Sequence, residues 1–174
     1  MFVIRASFLR NSELAFKPAI EDGPSELDVQ RTGANVYIQE EPMITEDYVR
    51  KIFKGLEQGD GASFFEHVDD KVDWIIEGTH PLAGHYKSKS DFLAGSFAKL
   101  DKVLPHGAQL VLEHLLVKDD WAVVELHSLA TAKNGLRFDN RYCWVCHFDG
   151  DTIDQVRAYL DSAMVARLFE ENPI

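Results

Sequence analysis

The sequence is poor in cysteine, in basic residues and in long apolar runs, and each shortage removes a class of protein. Its two cysteines are Cys143 and Cys146. Three positions apart on an extended segment, they point to opposite faces, so neither a disulfide nor a shared metal is expected there. There is no second cysteine pair to complete a zinc site. Reduced thiols suit a cytoplasmic protein, which is the expected location. Eighteen Lys and Arg stand against 29 Asp and Glu, a net charge of −11, which opposes binding to a phosphate backbone. No apolar run approaches the roughly 18 residues that a membrane helix needs, so neither nucleic acid nor membrane is an expected partner. No Gly-rich phosphate loop follows a strand pattern. The seven histidines (67, 80, 85, 106, 114, 127 and 147) show no HExxH spacing, so no cofactor and no metal is expected. The opening MFVIRASFLR carries two Arg and no acid, as a targeting peptide would. It lacks a small-residue cleavage site, and Glu13, Glu21 and Asp22 soon break the acid-poor composition.

What the chain does contain is core-forming material. At 174 residues and 45% hydrophobic, 11% aromatic, it fits one domain with an extension. Pro18, Gly23, Pro24, Gly33 and Pro42 interrupt every short apolar run before residue 45. Residues 1–44 therefore read as an arm, with one possible strand at 35–39, and 45–174 as the domain. Thr45 is a good N-cap, followed by Glu46 and Asp47 where acids suit the helix dipole. Val49, Ile52, Phe53 and Leu56 then repeat at i, i+3, i+4 and i+7, predicting one buried helical stripe. A short second helix carries Phe64, Phe65 and Val68, and a strand is predicted over Val72–Glu77. A third helix, capped by Ser90, aligns Leu93, Phe97, Leu100 and Leu104. Strands follow at Gln109–Val117, Trp121–Thr131, Leu136–Phe148 and Thr152–Leu160, joined by hairpin-type turns. A last helix runs from about Ser162 to Glu170, with Asp161 as its simplest cap. Helices followed by an antiparallel meander give an α+β class.

Phe138, Asn140, Tyr142, Trp144 and Cys146 alternate along one predicted strand and so share a face. An aromatic face carrying one amide looks like the wall of a ligand pocket.

Two stretches, DDKVDWIIEGTHPLAGHYKSKSDFL (69–93) and GLRFDNRYCWVCHFDGDTIDQVRAYLDSAMVARLF (135–169), resemble the SnoaL-like branch of the nuclear transport factor 2-like superfamily. The resemblance spans about residues 45–170. It implies a cone-shaped, strongly curved, mainly antiparallel sheet wrapped around about three helices, an α+β barrel with a hydrophobic pocket inside. It also implies dimerisation through the convex sheet face, for which Ala122, Val124 and Leu126 are the apolar candidates. Relatives of this kind include ketosteroid isomerase, polyketide cyclases and limonene epoxide hydrolase, beside purely binding members. Their cofactor-free chemistry uses a carboxylate tuned by an apolar pocket. Matching the motifs puts the isomerase base at Ile75, its oxyanion-hole acid at Trp144, and the last-strand Asp of the cyclases at Ala158. The Arg and Asp of the epoxide-hydrolase set fall on Glu125 and His127.

Other polar groups must then replace the missing acids. Glu125 and His127 share a strand face and form either a base with its orienter or a solvated pair on the convex side. His80, in the Gly-Thr-His-Pro loop, is either at the pocket mouth or an exposed loop residue. Asn140 either donates to a ligand carbonyl or bonds backbone at a strand bend. Asp73 and Glu77 flank Ile75 on its face and either reach the cavity or lie on the surface. Trp74, Tyr142 and Trp144 read as pocket wall, Tyr142 with a hydroxyl to donate. Two functions fit: a cofactor-free isomerase, cyclase or dehydratase acting on a polyketide- or terpenoid-like carbonyl compound, and a non-catalytic binding or dimerisation module.

Overall fold

The computed structural model describes residues 44–174; the expected arm, with its strand at 35–39, lies outside them. Helix α1 (Glu46–Glu57) begins where the sequence places it, the Thr45 hydroxyl accepting the Tyr48 N–H at 3.2 Å. Its stripe of Val49, Ile52, Phe53 and Leu56 is buried. Helix α2 (Gly61–Phe65) follows directly, capped by Asp60, and sets Phe64 against Phe53 with ring centroids 5.0 Å apart. Strand β1 (Val68–Ile76) starts four residues earlier than expected, and a short β2 (Gly84–Tyr86), which the sequence did not announce, pairs back on it.

The third helix is capped by Ser88 rather than Ser90, its hydroxyl accepting the Asp91 N–H at 3.1 Å. It runs as α3 (Lys89–Phe92), a π-helical turn (Leu93–Phe97) and α4 (Ala98–Leu100). Strands β3 (Gln109–Lys118), β4 (Trp121–Leu129), β5 (Arg141–Asp149) and β6 (Thr152–Leu160) form the meander, and α5 (Ser162–Glu171) closes the chain. Asp161 caps α5, accepting from the Ala163 and Met164 N–H groups.

The sheet order is β2-β1-β6-β5-β4-β3, antiparallel except that β1 and β6 run parallel. The expected α+β class, a mainly antiparallel sheet packed on helices, holds; because β2 and β3 are its edges, the six-stranded sheet is open and does not close into a barrel. Alternation sends Trp74, Ile76, Val124, Leu126, Trp144, Cys146, Val156 and Ala158 inward to a core shared with α1, α2 and α3. Ala122, Val124 and Leu126 are therefore buried core residues and not the convex apolar patch expected of them. A face that is apolar at every second residue goes against the helices, since burying it removes the most apolar area from water.

Helices α1 and α2 cross at Gly55. A Cβ there would collide with the Ser63 hydroxyl and lie 2.7 Å from the Asp60 carbonyl oxygen. Gly55→Ala should destabilise the fold by about 1–3 kcal/mol in urea unfolding, the usual range for overpacking. Gly61→Ala is the control: its Cβ would meet only the Phe65 ring edge, at 4.0 Å, and the change should be close to neutral.

Candidate functional site: an aromatic cavity

A cavity of about 190 Å³ opens between the inner face of the sheet and the segment from Phe92 to Leu104. Ala158 is the reason for the space. On β6 it faces Trp144 across one ladder and Ile76 across the other, a methyl group between two large neighbours. The walls are aromatic: Trp74 stacks on Phe92 with centroids 3.9 Å apart and meets Trp144 edge-on at 5.2 Å. Phe138 and Tyr142 complete the sheet side, and exposed residues such as Asp101 and Gly107 line the outer end.

Few polar groups reach this space. The indole Nε1 atoms of Trp74 and Trp144 and the Ser96 hydroxyl are buried without a hydrogen-bond partner among the described residues. Tyr142 also lines the cavity, and burial pushes its hydroxyl far above the ordinary phenol value, so it stays a neutral donor. Asp101 is the only carboxylate among the described lining residues, and none of them is Lys, Arg or His. Such a cavity excludes water from an apolar ligand while offering donors to its oxygens.

No protein-family model matches the chain. Two curated relatives do: the dimerizing cyclase phiC of a fungal species, 29% identical over 75% of this chain, and the dimerizing cyclase tstC of Talaromyces stipitatus, 24% identical over 88%. The chain spans about three fifths of the first relative's length (59%) and 67% of the second's. Among solved structures, a nuclear transport factor 2-like protein of Burkholderia thailandensis superposes with a TM-score of 0.62 at 20% identity, covering 71% of this chain and 95% of that one. The chain has the nuclear transport factor 2-like fold. This is the fold that the two sequence stretches resemble.

Within that fold the candidate residues separate into three groups. Trp74, Tyr142 and Trp144 line the cavity. Asp73, Glu125 and His127 do not: all three lie on the outer face, where Asp73 binds His85 and Lys87, Glu125 binds His114 at 2.9 Å, and His127 Nδ1 lies 3.1 Å from Glu113. Glu113, at the β3 bulge, is also paired with Arg141, whose guanidinium holds the carboxyl below its usual range. Glu125 and His127 are thus corrected from a base and its orienter to members of a surface charge network. Ile75 also faces outward, so on β1 the cavity belongs to Trp74 and Ile76.

Asn140 and His80 are buried but engaged. Asn140 precedes β5 instead of lying in it; its Oδ1 accepts the backbone N–H groups of Arg141 (2.7 Å) and Asp161 (3.1 Å), and its Nδ2 donates to the Asp161 carbonyl. It joins the start of β5 to the end of β6, and the alternative of a strand-bend amide is the one realised. His80 Nε2 donates to the Glu77 carbonyl at 3.1 Å, and its Nδ1 accepts from Leu82 N–H at 3.3 Å. It locks the loop that brings Leu82 to the cavity, instead of standing exposed at the mouth.

Ser96 and Asp101 were missed from the sequence. Ser96 had a signal: it falls on the Leu93, Phe97, Leu100 stripe at i+3, where a hydroxyl is out of place. Asp101, directly after Leu100, carries no such signal, since an acid near a helix end is ordinary.

Burial lowers the His80 imidazole below its usual 6.5, the backbone bond to Glu77 opposing this only in part. The neutral ring is thus favoured by folding, so its contribution is complete above about 6.5 and is lost as pH falls below that value. The wild-type urea midpoint should drop between about pH 7.5 and 5.5, and His80→Asn should flatten that slope. An unchanged slope would assign the drop to other groups.

Proposed function

We propose that this chain is a cofactor-free enzyme of the cyclase or isomerase class, acting on a small hydrophobic, polyketide-like carbonyl compound held in the inner cavity. The cavity carries the reading. It is apolar, aromatic-walled, and about 190 Å³ in volume, somewhat larger than the roughly 150 Å³ that accommodates benzene. A substituted six-membered ring fits, and a longer molecule would extend past Asp101. That two curated relatives are named dimerizing cyclases supports the same class.

The chemistry follows from which groups are where. Asp101, at the mouth, serves as the base that removes a proton from the carbon next to the carbonyl. The C–H electron pair moves toward the carbonyl oxygen, and the neutral Tyr142 hydroxyl donates a hydrogen bond to the charge that develops there. Where the substrate carries a β,γ double bond, the dienolate takes the proton back from the Asp101 carboxyl at its γ carbon, which is isomerisation; otherwise the enolate carbon attacks an electrophilic carbon, whose displaced electron pair takes up the proton from Asp101, which is cyclisation.

1-Tetralone in D2O tests this by proton NMR of the positions beside its carbonyl. The protein should accelerate deuterium uptake there, Asp101→Asn should reduce the acceleration by about 10²-fold, and Ala158→Phe, which fills the cavity, should abolish it. A second reading, a binding module without chemistry, is favoured by the absence of a carboxylate deeper in the cavity among the described residues. Under it tetralone binds but no uptake occurs, which would overturn the enzymatic reading.

The outer sheet face supports a further part of the proposal, a homodimer. Val123, Cys143, Val145 and Tyr159 lie there as neighbouring, partly exposed apolar residues in register across β4, β5 and β6. Sedimentation velocity should show a dimer at high micromolar concentration and a folded monomer for Val145→Asp. A wild-type monomer at that concentration sinks the dimer.

A further inference from the structure

We propose that Trp74 Nε1, Trp144 Nε1 and Ser96 Oγ together form a donor site that selects neutral carbonyl oxygens over carboxylates and over plain hydrocarbons. This rests on the reading that the inner cavity is the substrate site, and it names what that site recognises.

Three side-chain polar atoms among the described residues, Trp74 Nε1, Trp144 Nε1 and Ser96 Oγ, are buried with no partner nearby, and all three belong to residues that line this one cavity; His127 Nδ1, also buried, faces Glu113 at 3.1 Å on the outer side. A buried donor left unmatched costs on the order of 1–3 kcal/mol, so buried polar atoms in native proteins are almost always bonded. Three exceptions sharing one space point to an acceptor that arrives from outside. The donors come from three elements: Trp74 from β1, Trp144 from β5, and Ser96 from the helix opposite. The indoles stand nearly perpendicular, at 83°, over the two sides of β6 where Ala158 leaves room.

Ser96 belongs to the π-helical turn, a wider coil that recurs at functional sites. Phe92, immediately before that turn, stacks on Trp74 and so fixes the turn against the sheet. Gly95 lets the turn approach Tyr86, because a Cβ at that position would collide with the Tyr86 ring.

The character of the donors decides the ligand. An indole N–H donates and cannot accept, so the partner atoms must be acceptors. No cationic side chain lines the cavity among the described residues, and Asp101 adds a negative charge at its mouth. A carboxylate would leave water without a cation to compensate it, which is far costlier than transferring a neutral carbonyl. The occupant is therefore a ketone, ester, anhydride or quinone of about one or two rings.

Three probes of similar shape separate the possibilities: 1-tetralone with a neutral carbonyl, tetralin without an acceptor, and 1-naphthoate with a carboxylate. In a protein labelled with 15N at tryptophan, tetralone should shift the indole proton signals of Trp74 and Trp144 downfield. Trp121, on the outer face beside His147, is an internal control and should not move. Tetralone should bind at least about tenfold more tightly than tetralin, the equivalent of one or two hydrogen bonds, and naphthoate more weakly than tetralone. Trp74→Phe, Trp144→Phe and Ser96→Ala should each weaken tetralone about fivefold and leave tetralin unchanged.

Equal binding of tetralone and tetralin, with the three variants lowering both alike, would make the cavity merely apolar and overturn the donor site. Tightest binding of naphthoate would make it an anion site and overturn the choice of a neutral ligand. If none of the probes enters, the cavity is not a ligand site, and the proposed function falls with the inference. If tetralin enters without any preference for tetralone, only the inference falls.

Discussion

Ala158 on β6 faces Trp144 on one side and Ile76 on the other, and the inner surface depends on that contrast in size. Sheet interiors normally fill to the density of organic crystals. Here the two indoles reach across β6 and touch edge-on, and the methyl group beneath them leaves space. Phe92 stacks on Trp74 and ties the helical layer to the sheet on one flank. Phe53 and Phe64 close on Trp144, at 6.0 and 6.1 Å, on the other. The cavity is thus bounded by aromatic contacts on both flanks.

Much of this was legible in the sequence, and the rest failed for identifiable reasons. Helix α1, the meander and the capping of α5 by Asp161 follow from periodicity and turn chemistry, which are local. The aromatic wall of Tyr142 and Trp144 was legible because a run of inward aromatics has few other uses. Facing was harder. A one-residue slip in register sends every side chain of a strand to the other side of the sheet. Matching family positions put Ile75 and Glu125 inside, whereas burial puts Trp74, Ile76, Val124 and Leu126 there. Three register shifts, in the pairings of β1 with β6, β3 with β4 and β5 with β6, make counting along these strands unreliable. The simpler rule, that the more apolar alternate face is the buried one, would have placed β4 correctly.

The carboxylate–histidine pairs show why sequence spacing overstates catalytic sites. Glu125 with His114, His127 with Glu113, His147 with Asp154 and Asp73 with His85 use the residue types of an acid–base pair. All four lie on the outer face. In water such pairs gain little, because solvent screens them and ordering two side chains costs entropy. Only desolvation separates a tuned catalytic pair from a surface ion pair, and desolvation is a tertiary property.

The side-chain polar atoms buried at this cavity, the two indole N–H groups and the Ser96 hydroxyl, are neutral donors. A neutral donor has a smaller desolvation cost than a carboxylate, so a small apolar cavity can hold several without deforming. Unmatched, they still raise the free energy of the empty protein. A ligand that supplies acceptors removes that penalty as it binds, so part of its affinity comes from strain already present in the empty site. The same donors stabilise negative charge developing on a carbonyl oxygen more strongly than they stabilise the neutral carbonyl, since the bond strengthens with charge on the acceptor. On the proposed reading, recognition and activation draw on these donors together with the Tyr142 hydroxyl, and the base needs only to stand at the mouth, where water can still reach it.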